Sequence, residues 1–293
     1  MDNILKQYCI KHNIVLHKGD NIHIFCTLAW NWILLLKFHF YKRIHHIPKP
    51  IIHYYAVCWN EEKILPFMFD HYKPFVDHFT LYDNHSTDNS LNIIYSRSNT
   101  TVIEFDSDGF CDNIHNNIKN SCWKKSRGHA DYVIVCDMDE FIHHSDIEKK
   151  LSELKHKRIS VVKPTGYDMY CDTYPTHLSD RMLTELAPNG VREPMFDKCI
   201  LFDPHAVVEI NFMPGAHECH PWGRIKTDSG NGFKLLHYKN LGIKWLLERY
   251  RQYAQRLSQD NIENKYGLQY LKDEDAIISE FQDNILHATK VIE

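Results

Sequence analysis

Val133-Ile134-Val135-Cys136-Asp137-Met138-Asp139-Glu140-Phe141 is an apolar run that stops abruptly in three carboxylates. β-Branched residues without polar neighbours read as a strand buried on both faces, the kind found inside a parallel sheet. In an extended segment the side chains at i and i+2 point to one side, so Asp137 and Asp139 are expected to converge on one hard cation able to bridge a diphosphate. The pair alone is a weak signal, because Asp106-Ser107-Asp108 also follows a strand-like run. The flanking chain has to choose between them.

Working outward, short apolar runs at residues 51–58, 78–82, 101–105 and 132–136 read as strands. Longer amphipathic stretches at 61–72, 89–96 and 114–126 read as helices between them. Strands alternating with helices predict an α/β fold with a largely parallel sheet. Each run ends in polar residues, and open α/β sheets bind ligands at the carboxyl ends of their strands. From Pro164 to Pro194 the pattern turns irregular, and two or three further strands are expected between Lys198 and Tyr238. A helix follows at 241–257, with Leu246, Leu247, Tyr250, Tyr253, Ala254 and Leu257 on one face and Glu248, Arg249, Arg251, Gln252, Gln255 and Arg256 elsewhere.

The motifs come in a fixed order. Tyr55-Ala56-Val57-Cys58-Trp59-Asn60-Glu61-Glu62 is followed by Leu65-Pro66 and His71-Tyr72, then by Leu81-Tyr82-Asp83-Asn84-His85-Ser86-Thr87-Asp88, then by Trp123-Lys124 ahead of Asp137-Met138-Asp139. Over residues 51–257 this set resembles the GT-A fold of family 2-like glycosyltransferases. The resemblance implies a Rossmann-like mixed sheet flanked by helices, a helical N-terminal arm and a C-terminal helical cap. It also implies transfer of a sugar from a nucleotide donor, a UDP-sugar above all, to a hydroxyl acceptor with inversion.

Residue by residue, the resemblance puts Trp59 on the base, Asn60, Glu61 and Glu62 at the end of the first strand near the ribose, and Asp83 on uracil or ribose. Trp123, Lys124 and Lys198 join the nucleotide set, Lys198 as a donor to phosphate. Asp137 and Asp139 would coordinate Mn²⁺ or Mg²⁺, and Asp106 and Asp108 fall to a loop. Leu235-Leu236-His237-Tyr238-Lys239 looks like the late strand that supplies a histidine ligand, and imidazole with two carboxylates suits manganese. Sugar transfer also needs a base for the acceptor hydroxyl. Glu218, His217 and Asp168 are the candidates, and the sequence does not choose among them.

Composition bounds the rest. With 293 residues, 43% of them hydrophobic and 13% aromatic, the chain can build a large core, which excludes disorder as its main character. A net charge of −4 argues against a polyelectrolyte grip on nucleic acid. Nine cysteines without a C-x-x-C pair fit neither a zinc ribbon nor a disulfide framework and point to a reducing, cytoplasmic setting. The division expected is an arm at 1–50, a catalytic domain at 51–240 and a helical extension at 241–293. Within the arm, the clean apolar run of residues 26–36 is too short to span a bilayer. With Trp30, Trp32, Lys37, Lys42 and Arg43 around it, residues 22–43 suit peripheral membrane contact instead. The acceptor, whether glycan, lipid-linked or protein, is not legible. A nucleotidyltransferase or diphosphohydrolase, and a binding module that has lost its chemistry, are the rival readings; no G-x-x-x-x-G-K phosphate loop is present.

Overall fold

The computed structural model describes residues 2–16, 21–178, 180–228 and 232–292. Ile52–Cys58, largely apolar on both faces, takes an interior place beside the central strand of a seven-stranded sheet. His78–Asp83 and Tyr132–Val135 pair with it in parallel on either side, and Thr100–Glu104 lies beyond His78–Asp83. In chain order these four run third, second, first, fourth. Helices Leu65–Tyr72, Ser90–Tyr95 and Asp112–Ser121, the last prolonged by the 3₁₀ turn Cys122–Ser126, make the crossovers. An open sheet of this order parts its loops between the first and fourth strands, which leaves a crevice at their carboxyl ends.

Leu201–Phe202 adds antiparallel to Tyr132–Val135 and carries the sheet on to Val161–Val162 and Thr227–Asp228. A second sheet of five strands holds Thr289–Lys290, Asn189–Arg192, Thr165–Cys171, Lys234–Leu241 and Glu140–His143 in that order. The acidic stretch therefore joins two sheets: the chain leaves the first at Val135 and enters the second at Glu140. The mixed α/β architecture expected from the sequence is present, with its helical arm and helical cap. Residues 164–194, read as irregular, contain two strands of the second sheet. Their regularity comes from pairing with Lys234–Leu241 rather than from any periodicity of their own.

The cap begins with helix Ile243–Arg256, whose Leu246 and Tyr250 pack on Tyr170 and on Ile277 and Phe281 of helix Glu274–His287. Gly109 ties the cap to the main sheet. At φ 66° it lets the loop after Thr100–Glu104 approach the Arg256 carbonyl oxygen, with which any Cβ there would collide.

The arm holds a first helix, Asp2–Lys11, a short strand, Ile14–Val15, and one long helix, Asn21–Ile44, about 36 Å long at 1.5 Å per residue. By length and composition the long helix is apolar enough to cross a membrane, which corrects the shorter reading made from residues 26–36. Asn31, which interrupted that run, is buried and donates from Nδ2 to the His205 carbonyl at 3.1 Å. All nine cysteines are free thiols.

Candidate functional site

A cavity of about 590 Å³ opens at the crevice between the first and fourth strands. Trp59 and Glu61 reach it from the end of Ile52–Cys58, and the residues Asp137 to Glu140 reach it from the end of Tyr132–Val135. The second sheet adds Asp168, His237 and Lys239, and the cap closes the outer side with Arg249, Tyr253, Arg256 and Tyr270.

The acidic segment is a turn, not the extended strand expected. The Asp137 amide donates to Glu140 Oε2 at 3.0 Å, and the Tyr238 amide donates to the Asp139 carbonyl at 2.7 Å. The turn sends the two aspartates to different partners. Asp137 Oδ1 accepts from Lys119 Nζ at 2.6 Å, whereas Asp139 Oδ2 lies 3.4 Å from His237 Nε2. Enclosure works against charge on Asp137, but the Lys119 and Lys198 ammoniums hold its carboxyl well below the usual range. Deeper in, Lys198 pairs with Glu140 and donates to the Gly215 carbonyl at 2.8 Å.

His237 and Asp168 are registered neighbours on parallel strands, and His237 Nδ1 is 2.6 Å from Asp168 Oδ1. One nitrogen is thus fixed by a carboxylate while the other faces Asp139, the arrangement in which a second carboxylate orients a metal-binding imidazole. Among the described residues no three carboxylate, imidazole or thiolate groups are gathered to hold a metal ion by themselves. The expected trio of Asp137, Asp139 and His237 is not gathered in this structure, where Asp137 pairs with Lys119. Asp139 and His237 do form a two-residue handhold, and a cation bound by few protein ligands with phosphate oxygens completing its shell fits that donor set.

The other expected residues divide clearly. Trp59 lines the cavity with the Arg256 guanidinium 3.7 Å from its ring centre, and Glu61 pairs with Arg249. Asn60 and Glu62 stitch loops together: Asn60 Oδ1 accepts from the Thr87 amide at 2.7 Å, and Glu62 Oε2 accepts from the Asn89 amide at 3.0 Å. Asp83 is buried and accepts from the Ser86 amide and hydroxyl, which shapes its own loop. Trp123 and Lys124 lie outside the cavity. Trp123 is fully buried edge-on to Phe202, and Lys124 pairs with Glu209 at 2.6 Å. Asp106 is exposed on a loop beside His85.

Of the three base candidates, Glu218 is exposed and does not line the cavity, and Asp168 is engaged by His237. His217 lines it. Its Nδ1 sits 3.1 Å from the Met195 carbonyl, so that nitrogen carries the proton and Nε2 is left as an acceptor. Burial, reinforced by Lys198, lowers its pKa and keeps the imidazole neutral.

Two groups of cavity residues escaped the sequence reading. Lys119 is the one cation of a helix otherwise rich in asparagine, and its spacing says nothing of where it points. The cap stripe left a signal: Trp245, Arg249, Tyr253 and Arg256 recur at intervals of four, four and three. They form one helical face of alternating rings and guanidiniums. Arg249 lies 5.4 Å from the Trp245 ring centre and 4.7 Å from that of Tyr253.

No family model and no curated protein matches the chain. Solved structures with similarity include S. aureus TarS residues 1–349 in complex with UDP, at 11% identity and a TM-score of 0.42 over 75% of this chain and 70% of that one. The same protein in complex with UDP-GlcNAc gives 14% and 0.39 over 75% and 71%. In a further structure of the same fragment 65% of its length is covered, and in that of the longer TarS chain 43%. Glucosyl-3-phosphoglycerate synthase from Mycobacterium tuberculosis, in complex with Mn²⁺, UDP and glucosyl-3-phosphoglycerate, gives 18% and 0.27 over 40% and 44%. The functional reading of the cavity stands on its own residues.

Proposed function

We propose that the chain transfers a sugar from a nucleoside-diphosphate donor to a hydroxyl acceptor, with inversion at the anomeric carbon. The observation that carries this reading is the meeting of the acidic turn Asp137 to Glu140 with the cations Lys119, Lys198, Lys239, Arg249, Arg256 and Lys265 in one cavity at the sheet's crevice. Trp59, with Arg256 over its ring, offers a platform for a flat base. Lys119, Lys198 and Arg249 each pair with a carboxylate, so the growing charge of a diphosphate leaving group would fall to the cations outside those pairs, among them Arg256, which is bonded to the neutral Asn84 amide oxygen.

Asp139 and His237 would hold Mn²⁺ or Mg²⁺, which when bound supplies Lewis-acid neutralisation of the diphosphate. Asp168 keeps His237 in the orientation that faces Asp139. Neutral His217, with Nε2 free to accept, takes the proton of the acceptor hydroxyl. The aromatic cap residues Tyr253 and Tyr270 limit water at the reacting centre.

The test is thermal unfolding with a panel of nucleoside diphosphates, with and without Mn²⁺, followed by product analysis with the matching nucleotide sugar. A ligand at about 100 times its dissociation constant adds roughly 2.7 kcal/mol, a shift of several degrees. The expected result is a Mn²⁺-dependent shift by one nucleotide that Asp139→Ala abolishes, with nucleoside diphosphate and a glycosylated acceptor as products. Nucleoside monophosphate as product would mean a diphosphohydrolase, and no shift by any nucleotide would overturn the reading.

A further inference from the structure

We infer that the outward face of the arm helix Asn21–Ile44 lies flat on an anionic lipid surface, immersed along one apolar seam and not spanning the bilayer. The helix is apolar on both faces, and only one is covered. Ile24, Asn31 and Phe38, seven residues apart, are buried against the rest of the chain. On the opposite side Ile22, Cys26, Ala29, Ile33, Leu36 and Phe40 recur at intervals of four, three, four, three and four, and all six are exposed. Trp30 and Trp32, each 56% exposed, flank this seam on its two sides, where indole rings favour the headgroup level. A continuous apolar stripe of this length on a surface marks a binding face.

Charge selects the occupant. From Asn21 to Asn60 the sequence contains no Asp or Glu, while Lys37, Lys42, Arg43 and Lys49 are basic. Lys42 is held by Asp131 at 2.6 Å, which leaves Lys37 and Arg43 exposed beside the seam. Anionic headgroups complement that field, whereas a second copy of the same face brings charge of the same sign. Spanning is opposed by the inner face. It would strip Asn31 from the His205 carbonyl, Phe38 from its stack on the His205 ring and Lys42 from Asp131.

The purified full chain is mixed with vesicles of phosphatidylcholine alone or doped with phosphatidylserine, and binding is read by flotation and by tryptophan emission. The expected result is flotation with the doped vesicles, weakened by salt, with emission shifted to the blue. Lys37→Ala with Arg43→Ala lowers partitioning about thirtyfold. Ile33→Asp with Phe40→Asp abolishes it, and because both positions are exposed the circular dichroism and unfolding temperature stay at wild-type values. The inference is overturned if the intact chain remains in the soluble fraction with both vesicles. It is equally overturned if sedimentation shows a dimer that the Ile33 and Phe40 substitutions dissociate while vesicles go unbound. Resistance to alkaline carbonate extraction from cell membranes would also overturn it, in favour of a spanning helix.

Discussion

His237 stands between two carboxylates, with Nδ1 2.6 Å from Asp168 Oδ1 and Nε2 3.4 Å from Asp139 Oδ2. Burial disfavours the imidazolium, yet Asp139 and Asp168 push its pKa up to about 10. A cation bound at Nε2 must therefore displace a proton. Mn²⁺ affinity, measured by isothermal titration without nucleotide, is expected to rise about tenfold per pH unit between roughly pH 6 and pH 8. Asp168→Asn removes the carboxylate that orients the ring and is expected to weaken Mn²⁺ binding 10- to 100-fold. Affinity that is flat in pH and indifferent to Asp168 would show that His237 is not a ligand.

Lys198 and Glu140 form an ion pair whose side chains are 3% and 1% exposed. Such a pair gives little net stability over an apolar replacement, but a single deletion strands a buried charge. Lys198→Met is expected to cost about 3–5 kcal/mol in urea unfolding at neutral pH. Lys198→Met combined with Glu140→Gln should recover most of that loss. A double variant no better than the single would mean that the cost comes from the bond to the Gly215 carbonyl.

Trp59 and Trp123 both looked like nucleotide contacts in the sequence, and the fold separates them. Trp59→Ala is expected to weaken nucleoside-diphosphate binding about tenfold or more, the worth of one stacked base, without moving the unfolding temperature. Trp123→Ala leaves a hole beside Phe202 and is expected to cost about 3–5 kcal/mol of stability while the folded fraction binds nucleotide normally. Exchange of these two outcomes between the variants would contradict the placement of both rings.

This contrast shows what local pattern encodes. Ile52–Cys58, His78–Asp83 and Tyr132–Val135 fall within a residue or two of their expected bounds, because a strand covered on both faces is largely apolar. Asp139 and His237 were singled out through the family resemblance, and both line the cavity, Asp139 from the turn after Tyr132–Val135 and His237 from the middle of Lys234–Leu241. Lys119 was not. Its partner Asp137 lies eighteen residues on, and only the packing of helix Asp112–Ser121 against the crevice brings them together. Thr165–Cys171 was hidden for a similar reason, its strand geometry being imposed by neighbours distant in the chain.

Asp203 gives a prediction for the anchoring of the arm. Its carboxylate accepts from the His205 amide at 2.8 Å and lies 3.3 Å from Lys155, which also reaches Asp131, the partner of Lys42 on the arm helix. Burial works against its charge, but Lys155 and His205 hold its pKa well below the ordinary 3.8. A carboxyl lowered on folding contributes stability that is present above its unfolded pKa and is lost as pH falls toward the folded value. Asp203→Asn is therefore expected to be less stable than wild type at pH 7 by about 1.5–3 kcal/mol, the worth of a charged hydrogen bond. The two unfolding curves should draw together as the pH falls below roughly 4. A stability difference that stays constant from neutral to strongly acid pH would mean that Asp203 acts through the shape of its loop and not through its charge.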